Sequence, residues 1–467
     1  MDAILPKGHE NRQEDYLRFT LLREGKHEIA FKHIIDRFGH AFKSDAKLQM
    51  PSRFITVNLP KEITRIGADL MFDEQPMIRA GENDVWVQDA WEELNLGTIV
   101  YESVDYCAVR GDAVLRIRVE NKELKVESID PAMYNPVFDD GVQSGTPDAQ
   151  EIWTQTSIEV EGKKTRVALI EIHRKGVITY RITDGKVDYP VADYFPELAG
   201  SIDMKLEAGE HMIIHIKNSG SPLSIWGTSD YADIEGLIYE IDNRTSRIAA
   251  TLDKHSSPKL RAPKGTMDAI AKGGAFDVFE TMPAMGTEQV KIEYIQWDGK
   301  LEAAYTSLEY TIDMMLNIAN ISPSIIGRDN TGGSAESGRA LKFKLIRTLA
   351  MKHRKEMYWT TGLRQLLWTL QKLSHTHGYT ISGEKSLEPV MATIQFKDSV
   401  ITDLVESIEL IERQLGAGLI SKVEAMQEFH HIERDIAEKR LKEIESENKL
   451  QTSFSREDLT DNDDVEN

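Results

Sequence analysis

One apolar repeat at helical spacing runs from Ser337 to about His375, through Leu341, Leu345, Leu349, Trp359, Leu363, Leu366, Leu367 and Leu370. At about 1.5 Å per residue, an unbroken helix over that span is roughly 60 Å long. Such a rod exceeds an ordinary globular helix and limits the fold to one that has something to pack along it. Glycine costs about 1 kcal/mol inside a helix, so the pattern allows a kink near Gly362.

Two more stripes precede it. Ile234, Leu237, Ile238, Ile241, Ile248 and Leu252 predict a helix from Ser229, a plausible N-cap, to about Asp253. Leu301, Tyr305, Leu308, Ile312, Met315, Leu316 and Ala319 predict another from Lys300 to Asn320. Between them Ser256 to Trp297 holds Pro258, Pro263 and Pro283. It contains two short strand candidates, Ala275–Phe279 and Val290–Tyr294, so a small module is inserted between two long helices.

The N-terminal part mixes periods. Helices are expected from Glu14 to His40 and from Lys61 to about Phe72, the second stopped before Pro76. Leu115, Ile117 and Val119, then Leu124 and Val126, alternate with charged residues around Asn121-Lys122, which predicts a half-buried hairpin. A meander follows over Glu151–Val160, Thr165–His173, Val177–Thr183 and Lys186 onward, broken at Glu161-Gly162, Lys175-Gly176 and Asp184-Gly185. Met212–Ile216 reads as the last strand of this α+β part, and Ala392–Phe396 as a strand after the long helix. Near the C-terminus, helices are expected over Leu404–Leu415 and Lys422 to about Glu447, with Ser421 and Glu424 as a capping box. The polar tail, Thr452–Asn467, reads as disordered.

Composition narrows function. The 56 Lys+Arg against 77 Asp+Glu leave a net charge of −21, which argues against tight phosphate-backbone binding by the whole surface. The charge is uneven. Residues 401–467 carry 18 acids and 8 bases, a net of −10, whereas Arg339, Lys342, Lys344, Arg347, Lys352, Arg354 and Lys355 form a basic run without an acid. That run reads either as a solvated or partner-pairing helix face or as a band facing nucleic acid. No apolar stretch is long enough to cross a membrane, and Met1 to Glu10 lack a basic-then-apolar signal, so the expectation is a soluble chain made inside the cell. One cysteine, Cys107, excludes an internal disulfide framework and fits inert core.

Catalytic signatures are missing. There is no Gly-x4-Gly-Lys-Ser/Thr loop and no Gly-x-Ser-x-Gly elbow. Adjacent His430 and His431 point about 100° apart on a helix, and His375-x-His377 has no carboxylate close by in sequence, so no metal site is expected. Phe138-Asp139-Asp140-Gly141 reads as a turn rather than a calcium loop.

Taken in order, several stretches resemble the portal proteins of tailed bacteriophages, most closely those of long-tailed phages. They are Val57-Asn58-Leu59-Pro60-Lys61-Glu62-Ile63 through Pro76, Gly111-Asp112-Ala113-Val114-Leu115 with Ile129-Asp130-Pro131, and Ile321-Ser322-Pro323-Ser324-Ile325-Ile326-Gly327. Ser337-Gly338-Arg339-Ala340-Leu341-Lys342 and the run Gly416 to Ala425 complete the set, which spans roughly Glu14 to Glu447.

The resemblance implies an α+β, mainly helical, ring subunit with wing, stem, clip and crown regions. On this sequence it places the wing at 1–228, the first stem helix at 229–255 and the clip at 256–297. The second stem helix falls at 298–320, the tunnel loop and long wing helix at 321–400, the crown at 401–450 and an acidic tail at 451–467. It implies a tunnel loop of Arg328, Asp329, Asn330, Thr331, Gly332, Gly333, Ser334 and Glu336 facing DNA, with a passive linker as the alternative for the segment. Acids on the stem helices are candidates to line the channel: Glu302, Glu309 and Asp313 on the second, and Asp230, Asp233, Glu235, Glu240 and Asp242 on the first. An ordinary solvated or intersubunit salt-bridging face is the alternative for each.

The implied function is a ring, usually a dodecamer, at the capsid vertex of the virion. It would be a channel for DNA packaging and ejection and a platform for terminase and head-tail connector proteins. Expected partners are further copies of the chain, double-stranded DNA, terminase, major capsid and scaffolding proteins and a head-tail adaptor, with no membrane. No cofactor, metal or enzymatic activity is expected, and assembly would take place in the host cytoplasm. The rival readings are another virion component, an adaptor or scaffold, and, further off, a nucleic-acid enzyme.

Overall fold

The structure, a computed structural model, describes residues 4–6, 8–38, 54–72, 75–139, 145–174, 176–207, 210–220, 222–255, 259–263, 278–281, 293–295, 301–328, 338–396, 404–430, 437–444 and 446. The chain divides into two compact units, Met1–Gly332 with Lys344–Lys397, and Gly333–Phe343 with Asp398–Asn467.

The first unit opens with α1 (Glu10–Arg23) and α2 (His27–Phe38). The expected single helix from Glu14 to His40 is therefore two. Gly25 takes φ +75°, a left-handed conformation open to glycine, and the amides of Glu24 and Lys26 close the end of α1 on the carbonyls of Thr20 and Leu21. Helix α3 (Leu59–Phe72) buries Ile63, Thr64, Gly67, Ala68 and Met71 at helical spacing. Two helices without a clean stripe follow, α4 (Asp84–Glu93) and α5 (Leu96–Arg110), and α5 is buried nearly all round.

Strands β2 (Asp112–Glu120) and β3 (Glu123–Ile129) form the expected hairpin, with Ile117 opposite Val126. Asn121 and Lys122 both take positive φ, which matches the turn to the twist of the strands. β10 (Ile213–Lys217) pairs with the other edge of β2. The meander is a separate six-stranded sheet of β4 (Tyr134–Val137), β5 (Ala149–Val160), β6 (Lys163–Arg174), β7 (Val177–Thr183) and β8 (Asp188–Tyr189), with β9 (Ser201–Asp203) added on β7. A single-turn α6 (Val191–Tyr194) lies beside it in sequence. β1 (Met77–Arg79) pairs antiparallel with β14 (Thr393–Gln395), so the segment after the long helix returns to the segment before α4.

The three long helices are α7 (Glu235–His255), α8 (Leu301–Ile318) and α9 (Gly338–His377). Between α7 and α8 lie β11 (Lys259–Pro263), β12 (Val278–Thr281) and β13 (Glu293–Ile295), with β11 in the middle, parallel to β12 and antiparallel to β13. The two expected strands are strand where they are described, over 278–279 and 293–294, and their first three residues each lie outside the described residues; β11 was not among the expected strands.

Two apolar clusters make most of the core. One joins α3, α4, α5, β2, β3 and β10 to Trp359, Leu363, Leu366, Leu367, Leu370 and Leu373 of α9. The other joins α1, α2, α7 and α8 to Met351 of α9. A 40-residue helix, roughly 60 Å long, is stable here because successive turns bury against different partners.

The helix is continuous through Gly362, so the allowed kink does not occur there. The glycine serves close packing instead: a Cβ at Gly362 would lie 2.4 Å from Ile216 Cδ1, and Ile216 is buried in β10. Gly362→Ala is expected to destabilise by about 1–2 kcal/mol, although helix propensity alone favours alanine by about 1 kcal/mol. In an Ile216→Ala background the same change should become neutral or stabilising, and denaturant midpoints of the four proteins measure the reversal.

The second unit contains α10 (Leu404–Gly416) and α11 (Lys422–His430). Ser421 and Glu424 form the expected capping box: the Ser421 amide donates to Glu424 Oε2 at 2.7 Å and the Glu424 amide to Ser421 Oγ at 3.2 Å. The helix expected from Lys422 to Glu447 is described as Lys422–His430 and 437–444. Its middle and the tail Thr452–Asn467 lie outside the described residues.

Candidate functional site: the paired long helices and their acids

Helices α7 and α8 share one apolar cluster, with Ile238 and Ile241 of the first, Ile234 just ahead of it, and Met315 and Leu316 of the second buried in it. Arg244 of α7 reaches across to the Ser307 hydroxyl and carbonyl of α8 while its Nε donates to Glu240 at 2.6 Å. The pair is thus set by packing and pinned by a hydrogen bond.

Most acids around α7 are engaged. Glu235 accepts from Arg18 Nε at 2.5 Å, Glu240 holds Arg244, and Asp242 is fully buried against His27 at 2.6 Å. Asp230, just ahead of the helix, takes the Lys355 ammonium at 2.7 Å. Asp233 alone of the five is exposed and has no side-chain partner among the described residues. An acid tied to a structural cation, as Asp230, Glu235 and Glu240 are, or wholly buried, as Asp242 is, contributes little to a field felt by a distant ligand, so these four are poor candidates to line a channel.

The acids of α8 differ. Glu302, Glu309 and Asp313 stand seven and four residues apart, which puts them on one helix face. Glu302 and Glu309 are exposed and have no side-chain partner among the described residues. Asp313 is half exposed and meets Arg328 at 3.4 Å. Next to this stripe, Tyr310, Met314 and Ile318 are exposed at successive turns, Tyr310 at 67%. The outer surface of α8 therefore divides into an acidic stripe and an apolar flank.

Of the expected tunnel loop, only Arg328 is described. Asp329, Asn330, Thr331, Gly332, Gly333, Ser334 and Glu336 lie outside the described residues. The basic run is partly structural. Lys352 is buried beside Glu356 at 3.0 Å, Lys355 is buried against Asp230 and Asn218, and Arg347 donates to Asn320 at 3.1 Å. The partner-pairing reading holds for these three residues.

The minor motifs resolve similarly. Cys107 is fully buried near the Ile216 carbonyl, where burial pushes its thiol pKa up. His377 donates to the Met204 carbonyl at 2.8 Å and stacks on Tyr379, while Asp139 takes Arg174 at 2.7 Å. Sequence reading missed one buried centre, Asp112. Its carboxylate accepts from Tyr16 Oη (2.7 Å), His215 Nε2 (2.8 Å) and the Gly227 amide (2.8 Å). Burial and that carboxylate together push the Tyr16 pKa up. The partners are about a hundred residues apart, so nothing local in the sequence could announce the cluster.

A three-stranded antiparallel sheet packed on a long helix, a separate antiparallel meander, and two further helices paired with a β module inserted between them define a structural subunit with its chemistry in charge placement. Residues 2–451 match the family described as phage portal protein, SPP1 Gp6-like, and the chain belongs to that family. No curated protein matches it. Among solved structures it is similar to a chain in the neck of an empty gene transfer agent particle computed with C6 symmetry, at 14% identity and a TM-score of 0.47, covering 81% of this chain and 91% of that one. A chain in the virion of a native gene transfer agent particle matches at 16% identity and a TM-score of 0.42, over 79% and 88%. One in the neck of a native particle computed with C12 symmetry matches at 14% and 0.44, over 79% and 89%.

Proposed function

We propose that the chain is one subunit of a closed portal ring, a dodecamer, set at a capsid vertex of the virion, whose bore passes double-stranded DNA during packaging and ejection. Family membership supports the portal role. In this reading α7 and α8 are the stem helices, residues 256–297 the clip, 1–228 with α9 the wing and 401–450 the crown. Terminase, capsid, scaffolding and head-tail adaptor proteins are its partners, and the chain itself performs no catalysis. The segment Arg328 to Glu336, with Gly332-Gly333 free to take positive φ, would be the tunnel loop.

The observation that carries the reading is the divided surface of α8. A ring that moves DNA must guide it without holding it, because each Lys or Arg that finds a phosphate adds to a salt-dependent hold. Glu302 and Glu309, the unpaired acids of the stripe among the described residues, repel phosphate from every subunit and keep the duplex centred, while Asp313 is drawn to Arg328. The exposed flank Tyr310, Met314 and Ile318 is the surface that a neighbouring copy would cover.

Two measurements test this. End-on images of the purified protein should show rings with a central hole; only monomers or solid clusters would count against it. Glu302→Lys with Glu309→Lys should leave the rings intact and slow DNA packaging by about tenfold or more. An unchanged rate in assembled rings would remove α8 from the bore.

A further inference from the structure

Two exposed faces of the first unit carry opposite charge around apolar centres. The first lies on α9. Ile346, Ala350 and Met357 are exposed and stand four and seven residues apart, so they share a helix face, and Arg364 continues it. Arg347 and Arg354 border that stripe. Arg354 and Arg364 have no side-chain partner among the described residues, and Arg347 donates to the neutral side chain of Asn320, which leaves its charge uncompensated. The one acid between Ile346 and Gln365, Glu356, is taken by Lys352 and His353.

The second face joins α4 to the segment ahead of β14. Val85, Asp89 and Glu92 stand four and three residues apart on α4, all exposed. Buried Asn83 holds the other half beside the start of that helix: its Nδ2 donates to the Glu388 carbonyl at 2.7 Å, and its Oδ1 accepts from the Leu387 amide at 3.0 Å. Leu387 and Met391 are exposed there. Asp89, Glu92 and Glu388 have no side-chain partner among the described residues. Lys385, the one cation in residues 81–93 and 384–391, sits against Gly378 just past the end of α9, where a Cβ would lie 2.8 Å from its Nζ. Exposed apolar residues rimmed by charge mark an association surface.

We propose that the basic α9 face of one copy docks on the acidic α4 face of the next, apolar centre on apolar centre and arginines on carboxylates. Either face against itself would set like charges opposite each other, so charge favours the mixed contact. Head-to-tail contact between two different faces is also what closes a ring. The inference rests on the ring reading and names surfaces that join neighbours in it.

Cross-linking of the full-length protein tests it. Val85 and Met357 are the most exposed apolar residues of the two faces, at 70% and 64%, and native Cys107 is buried, so cysteines introduced there are the reactive ones. With a flexible bis-maleimide, co-assembled Val85→Cys and Met357→Cys proteins should give cross-linked dimers. Each variant alone should give none, and the double variant should give a ladder of oligomers. Asp89→Lys with Glu92→Lys in the Val85→Cys protein should cut the mixed yield at least about tenfold, and Arg354→Glu with Arg364→Glu in its partner should restore much of it. All these positions are exposed, so circular dichroism spectra should match that of the unsubstituted protein. Rings seen end-on without the mixed cross-link overturn the inference and leave the ring reading standing. Self-cross-linking of either single variant, or a mixed yield indifferent to the charge reversals, overturns it as well. Mixed cross-links without closed rings would keep this contact and sink the ring reading, and the absence of both would sink the two together.

Discussion

Asp242→Ala is expected to remove about 3–5 kcal/mol of stability, the cost of breaking a buried Asp–His pair from one side and leaving its hydrogen-bond partners stranded. Asp242 and His27 are both fully buried, 2.6 Å apart. The second Asp242 oxygen accepts from the Val57 amide at 2.8 Å, and His27 Nε2 donates to the Leu22 carbonyl at 2.7 Å. One turn further along α7, Ser246 donates to the Asp242 carbonyl and accepts from the Ile55 amide. A single carboxylate thus ties α2 and the strand-like entry to α3 onto α7, and alanine leaves an amide and an imidazole nitrogen buried without partners. Asp242→Asn keeps an acceptor for Val57 and should lose less. Asp233→Ala, at the exposed acid of the same region, should stay within about 0.5 kcal/mol. Denaturant unfolding of the three variants gives the ranking; an Asp242→Ala loss as small as that of Asp233→Ala would mean that the pair is not formed.

The contrast between Asp242 and Asp233 shows where sequence reading stops. Both are acids in one predicted helical stretch, and nothing local separates a buried anchor from a solvated charge. The partners that separate them lie far away in the chain: His27 is 215 residues from Asp242. What repeats locally was legible. The β2–β3 hairpin, the β5–β7 meander, the stripes of α7, α8 and α9 and the Ser421–Glu424 box are all set by spacing within a few residues. Helix α5 was not legible, because Leu96, Val100, Val104, Cys107, Ala108 and Val109 are buried on several sides along with Asp105, which erases the two-faced pattern that marks a surface helix. Nor was the pairing of β1 with β14 across the whole first unit. The α8 acids were legible for the same reason as the stripes: Glu302, Glu309 and Asp313 share a face by spacing alone, and Glu302 and Glu309, being exposed, depend on no distant partner to place them.

Lys355→Met is expected to cost about 3 kcal/mol, and to do so by stranding an acid rather than by weakening any grip on nucleic acid. The Lys355 stem passes over Gly67 of α3, where a Cβ would stand 3.6 Å from its Cε, and its ammonium lies 2.7 Å from Asp230 and 2.6 Å from Asn218 Oδ1. Asn218 also donates to Asp230 and to the Thr228 carbonyl, and the Asp230 amide donates to the Ala108 carbonyl. This knot therefore fastens α9 to the end of α5 and to the segment that leads into α7. Methionine keeps the volume and apolar stem but removes the charge, so the loss reports the ion pair and not a cavity. Asp230 retains some solvent contact, with its side chain 21% exposed, which sets the expected loss at the lower end for buried pairs. Adding Asp230→Asn to Lys355→Met should recover part of the loss, because the double variant no longer holds an uncompensated charge. In the same preparation Arg354→Met, at an exposed neighbour one residue away, should leave stability within about 0.5 kcal/mol. If Lys355→Met were as mild as Arg354→Met, the basic run would have to be read again as a free positive band along α9.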